Sequence, residues 1–244
     1  MDAAALYKAG QLRPAIEALG AELRKQPADI QRRTFLFELL CFAGEYDRAS
    51  KQLDVLGDAS KDAASGALLY RAALHAQRTR EEMFARGEIP KGAEERSPPG
   101  TINEEPFAEL ADEDDRIGAN LEVFIAGSYT WVPFRYIESV QIQQPTKLRD
   151  LLWAPAILMA TKDFRLQDLG QVLIPVMAPL SWKHEDDNVK LGRTTVWIED
   201  AQHGAIPAGQ KIFTTGAKDY ALLEIRELGF ANALNQGQSS HNEE

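Results

Sequence analysis

The sequence predicts a chain in two parts: stacked helical hairpins first, then an α+β domain that is mostly antiparallel β. Three observations predict it. Ala9-Gly10-Gln11-Leu12 recurs as Ala43-Gly44-Glu45-Tyr46, and Ala15 and Leu19 recur as Ala49 and Leu53. This spacing of about 34 residues, with a small residue at the turn, is the tetratricopeptide signature. Gly87–Gly100 is polar and rich in Pro and Gly, the composition of a linker. Beyond it the apolar residues fall in short β-branched or aromatic runs separated by turn residues.

The elements follow in order. The first hairpin is expected to pair Ala3–Ala9 with Arg13–Gln26. Pro14 stands in the first turn, where a missing N–H is harmless, and Pro27 closes the helix. The second is expected to pair Ile30–Ala43 with Tyr46–Leu56, ended by Gly57. A fifth helix, Ala63–Arg86, would place Leu68, Leu69, Ala72, Ala73 and Ala76 on one apolar face. A third repeat would need its turn glycine at position 78, where Arg78 stands. The array therefore stops at two and a half hairpins, short of the about three repeats that a solenoid needs to cover its core. Its open face is expected to dock on the second domain.

That domain, 101–231, follows the helical domain 1–86 and the linker 87–100. Strands are expected at 123–126, 129–132, 140–143, 156–160, 171–176, 194–198, 210–214 and 221–225, and a short helix at 147–152. Gly127-Ser128 and Gly216–Asp219 read as tight connections, and Gly204 and Gly209 flank Pro207 in an expected turn. Trp131 and Trp153, each two residues before a proline, are expected in the core. The polar tail 232–244 is expected to be disordered.

Charge separates the two parts. Of 27 basic and 37 acidic residues, residues 1–90 carry 13 of each, so the whole excess of −10 lies beyond them. Nucleic acid is thereby disfavoured as a ligand, because neutralising phosphates requires a basic face. No apolar run approaches 18 residues and no charged-then-apolar start is present, so neither a membrane span nor a signal peptide is expected and the cytoplasm is the default location. Cys41 is the one cysteine, set in the apolar stretch Phe35–Phe42, and reads as a buried, inert thiol.

Candidate chemistry is sparse. Glu104, Glu105, Glu109, Asp112, Glu113, Asp114 and Asp115 could hold a hard cation, yet they lack the glycine and closing glutamate of an EF-hand loop. The favoured reading is a solvated loop in which Asp114 or Asp115 caps a helix beginning near Arg116. His75, His184, His203 and His241 are scattered, and no zinc-protease, nucleophile-elbow or phosphate-loop motif occurs. The enzymatic alternative is a metal-assisted hydrolase that uses the Asp112–Asp115 loop with His184 or His203. A protein-binding scaffold for some unrelated partner is the other.

Several segments carry a resemblance. Gly100-Thr-Ile-Asn-Glu-Glu-Pro-Phe resembles Gly-Thr-x-Asn-Gly-x-Pro-Phe, and Asp112-Glu-Asp-Asp-Arg-Ile-Gly resembles Asp-x-Asp-x-Arg-Leu-Gly. Leu121-Glu122, Tyr129-Thr-Trp-Val-Pro-Phe, Leu148-Arg-Asp-Leu-Leu-Trp-Ala-Pro-Ala and Leu222-Leu-Glu-Ile-Arg-Glu-Leu complete the pattern. These are motifs of the ImpE family, also called SciE or TagJ, accessory proteins of bacterial type VI secretion, and the chain resembles that family over nearly its whole length. It departs in having only a short linker where many members carry further helices before the Gly-Thr-x-Asn motif.

The resemblance implies a non-enzymatic protein without cofactor that associates with the small subunit of the contractile sheath through that subunit's amino-terminal helix. It also implies a link to the hexameric ATPase that recycles the sheath. Repeat geometry then supplies expected groove contacts on the inner faces of the helices: Tyr7, Gln31, Thr34, Glu38, Cys41, Leu68, Ala72 and His75. A mixed apolar and weakly polar groove suits helix recognition.

Overall fold

A computed structural model describes residues 2–58, 61–90, 96–164 and 169–231. The tail 232–244 and the linker residues 91–95 lie outside the described residues. Five helices come first: α1 (Ala3–Lys8), α2 (Leu12–Lys25), α3 (Ile30–Phe42), α4 (Tyr46–Gly57) and α5 (Lys61–Arg86). Asp2 and Asp29 cap α1 and α3, accepting the N–H of Ala5 at 2.8 Å and of Arg32 at 2.9 Å. The turn glycines Gly10 and Gly44 both have positive φ, +74° and +69°, a region where a Cβ is costly. The sequence repeat thus marks two equivalent turns.

Helix α5 buries only part of the face its apolar residues suggest: Ala73 and Ala76 are buried as expected, but the buried face is turned away from Leu68 and Leu69. Leu68 and Leu69 are 67% and 53% exposed, whereas Leu74, Gln77, Arg80, Glu81 and Phe84 are buried. An apolar stripe cannot report a face on which Gln, Arg and Glu point inward.

The sheet part contains β1 (Gly100–Ile102), β2 (Glu105–Phe107), β3 (Ala111–Asp112), β4 (Asn120–Ile125), β5 (Ser128–Pro133), β6 (Ile137–Ile142), β7 (Trp153–Ala160) and β8 (Gly170–Pro175). After a one-turn helix α6 (Asp187–Lys190) come β9 (Val196–Asp200), β10 (Gly204–Ala208), β11 (Ile212–Thr214), β12 (Asp219–Ala221) and β13 (Glu227–Phe230). Eight strands pair antiparallel in the order β2-β1-β13-β6-β7-β8-β4-β5. β12-β11-β3 form a second small sheet and β9–β10 a lone hairpin. The β4–β5 connection is Ala126-Gly127, with φ of +48° and +86°, the backbone of a two-residue I′ turn.

Three expectations need correction. The strand expected over 221–225 ends at Ala221; Leu222–Glu224 form a 3-10 turn and the closing strand is β13. Leu222 and Ile225 are both buried, which a tight turn achieves at a spacing of about three residues and an alternating strand does not. The helix expected over 147–152 is a single 3-10 turn, Leu148–Leu151, whose Asp150 accepts the N–H groups of Thr146 and Lys147 at 2.8 and 2.9 Å. Gly204 and Gly209 flank not a turn but strand β10, in which Pro207 pairs with Trp197.

Two cores form, and one crosses the boundary between the parts. Ile102, Val123, Phe134, Val140, Leu158 and Ile174 belong to the core of the sheet part. Leu19, Phe37, Leu40 and Leu53 of the helices share the other with Phe124, Trp153, Met177 and Leu191 of the sheet part. No helix among the described residues is long and apolar enough to cross a membrane.

Candidate functional site

The eight expected groove residues do not share one surface. Gln31, Leu68 and His75 are exposed and Thr34 is half-buried. Glu38 and Cys41 are buried and correct the expectation that they offer themselves to a partner. Arg149 donates to Glu38 at 3.0 Å and to the Tyr70 hydroxyl at 2.6 Å, and burial together with the Glu38 charge pushes the Cys41 thiol well above its ordinary pKa. Tyr7 lies under the Arg193 guanidinium, 4.8 Å from its ring centroid, and Ala72 lies against the β4–β5 turn. The sheet part thus occupies much of the inner face. An open groove of about 200 Å³ remains between α3, α4 and the start of α5, lined by Ile30, Thr34, Phe37, Leu53, Leu56 and Tyr70.

The segment around α6 closes the turn between α1 and α2. Asp187 accepts the N–H of Leu12 at 2.8 Å, so α2 is capped from 175 residues away. Arg193 donates to the carbonyls of Tyr7 and Lys8 at the end of α1, at 2.7 and 3.1 Å. The turn glycines face the same segment: a Cβ on Gly10 would stand 2.6 Å from Asn188 Oδ1, and one on Gly44 would stand 2.4 Å from the Trp182 ring.

A chain of buried charges joins α5 to the sheets. Glu122 on β4 receives the Arg80 guanidinium through Nε at 2.7 Å and Nη2 at 2.8 Å, and the Lys211 ammonium at 2.7 Å. Lys211 also pairs with Asp112, and the Tyr129 hydroxyl donates to Glu122. Burial opposes ionisation of Glu122, but Arg80 and Lys211 prevail and hold it well below the usual carboxylate range. Burial dominates at Asp112 and pushes it up to about 6. Alongside, Glu81 accepts from the Leu180 N–H at 2.9 Å and the Trp182 indole at 3.0 Å, while Gln77 accepts from the Trp153 indole at 2.9 Å. These buried polar groups are paired, which adds geometric specificity to the apolar core the two parts share.

The acidic loop is solvated only in part: Glu104, Glu105 and Asp115 are exposed, whereas Asp112 and Asp114 are buried, and Asp114 accepts the Arg116 N–H at 3.1 Å. Asp114 is fully buried and holds Arg116 in a two-pronged pair at 2.7 and 2.6 Å; its carbonyl closes a tight turn with Ile117 and Gly118, and no helix begins there. With Asp112 engaged by Lys211 and Asp114 by Arg116, neither is left to coordinate an ion. Among the described residues no group of three His, Cys, Asp or Glu side chains is placed to hold one. Trp153 is in the core as expected, whereas Trp131 is half-buried and stacks on Phe84 with 6.2 Å between centroids.

Residues 104–229, just over half the chain, match the family described as ImpE protein. A type VI secretion system accessory component TagJ from Pseudomonas aeruginosa is 33% identical over 264 aligned positions, covering 94% of this chain and 91% of that protein. The chain belongs to the ImpE family. The crystal structure of protein VPA1032 from Vibrio parahaemolyticus shares the fold, with a TM-score of 0.81, 24% identity and coverage of 93% of this chain and 96% of that one.

The ImpE motifs are parts of the joint and of the strand turns that hold it. The Leu-Glu motif supplies Glu122, the Tyr-x-Trp motif supplies Tyr129, and the Leu-Arg-Asp motif supplies Arg149 and Trp153. The Asp-x-Asp-x-Arg motif supplies Asp112, Asp114 and Arg116. In the Gly-Thr-x-Asn motif Asn103 accepts the N–H groups of Arg226 and Glu227 at 2.8 and 3.2 Å, anchoring β13. Sequence reading missed Arg80, Glu81 and Lys211 as their partners. Arg80-Glu81 and Lys211 stand far from these partners in sequence and carry no local pattern; the trace they leave is that Gln77, Arg80 and Glu81 interrupt the apolar run of α5 on a single face.

Proposed function

We propose that the chain is a non-enzymatic, cytoplasmic accessory component of type VI secretion. In this reading its helical part, a truncated tetratricopeptide-like stack, binds the amino-terminal helix of the small contractile-sheath subunit. It assists sheath handling together with the recycling ATPase. The observation that carries the reading is the 33% identical relative, named an accessory component of that system and matched across nearly both full chains. The groove between α3, α4 and α5 supports the mode of binding. It offers Phe37 and Tyr70 at its base and Ile30, 55% exposed, on its rim, which suits an apolar helix face.

A pull-down of the full chain against the small sheath subunit, with and without that subunit's first helix, tests the reading. Retention of the intact subunit and loss of the truncated one is expected, and equal capture of both overturns it. Ile30→Asp should weaken capture while leaving the melting curve intact. Charge reversal at Glu38 cannot serve as this test, because it would break a buried pair inside the joint.

A further inference from the structure

A larger cleft lies at the other end of α5. It encloses about 740 Å³ between the end of that helix, the loop 179–185 and one face of the β9–β10 hairpin. Phe84, Leu180, Ile198, Ile206 and Ala208 make its apolar lining. Its polar groups are unevenly committed. Asp200 is spent on the N–H groups of Gln202 and His203 and on the His203 ring, at 2.9, 3.0 and 2.8 Å. Arg116 gives Nε and Nη2 to Asp114, and among the described residues its Nη1 has no acceptor.

The other free groups are also mostly donors. The Lys183 ammonium lies 5.4 Å from the centroid of the Trp182 ring and pairs with no carboxylate among the described residues. The Asp186 N–H donates to His184 Nδ1 at 3.0 Å, which places the His184 proton on Nε2 and leaves a further N–H to offer. Arg86 is weakly tied to Glu82 at 3.6 Å. Glu185 is the one lining carboxylate without a partner among the described residues. In a chain of net charge −10, this cleft presents an excess of unspent donors around an apolar floor.

We propose that the cleft is a second docking site, for an extended peptide segment of a partner protein that alternates apolar and acidic side chains. Its carboxylates would meet Arg116, Lys183 and His184, charge-assisted bonds stronger than neutral ones, and its apolar side chains would cover Ile198 and Leu180. The volume exceeds what one carboxylate needs, and apolar groups line both the hairpin and the helix side. The occupant must therefore bring apolar bulk as well as charge. The site lies about 17 residues along α5 from the groove of the proposed function, roughly 25 Å at the helical rise, and is independent of it.

The test uses fluorescence anisotropy on the full chain with a fluorescein-labelled hexapeptide, Leu-Glu-Leu-Asp-Ile-Glu, its amide counterpart Leu-Gln-Leu-Asn-Ile-Gln, and octanoate as competitor. Saturable binding of the acidic peptide is expected, with the amide form at least tenfold weaker. Lys183→Glu and Ile198→Asp should each weaken binding at least fivefold, and Ile30→Asp in the groove should leave it unchanged. Lys183 is exposed, so its variant keeps the test open if Ile198→Asp unfolds the hairpin. Equal binding of the amide peptide, indifference to Lys183→Glu, or no binding up to about 1 mM overturns the proposal. Saturation by octanoate with exclusion of the peptide also overturns it in favour of a small organic acid. Loss of sheath-subunit capture has no bearing on this result, and the reverse also holds.

Discussion

Glu122 keeps Arg80 and Lys211 out of water by pairing with both, and Asp112 shares the second of them. The two carboxylates respond to pH in opposite senses. Glu122 is depressed below its ordinary 4.5, so its stabilisation is full above that value and is lost as pH falls through the folded-state value. Asp112 is raised from 3.8 to about 6, so the folded chain holds its proton more tightly than the unfolded one. That contribution is full below 3.8 and is lost as pH rises through about 6. Asp112→Asn should therefore flatten the decline in melting temperature between about pH 4 and pH 6, measured by thermal denaturation in matched buffers. An unchanged slope would remove Asp112 from the account.

A second residue-scale prediction concerns the β1–β2 turn. Its two loop residues, Asn103 and Glu104, have φ of +47° and +69°. Asn tolerates this region, whereas Glu does not. The family motif has glycine where this chain has Glu104. Glu104→Gly should stabilise the fold by about 1 kcal/mol, read from urea unfolding at constant m value. Residues of this kind were legible as motif members, but the reason for them was not: the motif names Asn103, and only the fold shows it anchoring β13.

Among elements, the positions of the helices were legible because caps, Pro14 and the turn glycines are local signals. The face of α5 was legible only in part, because Gln77, Arg80 and Glu81 are buried beside Ala73 and Ala76. Strands β1, β2, β3, β10 and β13 were missed for another reason: they are two to five residues long, and all but β3 contain Gly or Pro, which read as turn chemistry. The turn glycines permit a comparison. Both have positive φ, but the Gly10 Cβ would meet the tip of Asn188 and the Gly44 Cβ would meet the body of the Trp182 ring. Asn188 can swing away and an indole wedged beside Glu81 cannot. Gly10→Ala should cost about 1–2 kcal/mol, and Gly44→Ala distinctly more, as judged by chemical denaturation of the two variants side by side.

For the molecule as a whole, the sequence foretold that a stack of two and a half hairpins must lean on its neighbour. It could not tell how deeply. The shared core of Phe37, Leu40, Trp153 and Met177, the caps from Asp187 and Arg193, and the buried charges of α5 cross one boundary. The same depth takes Glu38 and Cys41 out of the expected groove: both are buried, and Glu38 pairs with Arg149 of the chain itself. The full chain should unfold in a single transition reported equally by helix circular dichroism and by the fluorescence of Trp153 and Trp182. A fragment of residues 1–90 should show no cooperative transition, and a fragment melting like the intact protein would refute the dependence.

The cap that Asp187 places on Leu12 bears on biosynthesis. The ribosome makes the first hairpin early, but the carboxylate that completes it is translated 175 residues later. At about 5–20 residues per second this is roughly ten to thirty-five seconds. During that interval the newborn helices expose apolar surface and bare N–H groups, a window in which a chaperone can engage them before the rest of the chain arrives.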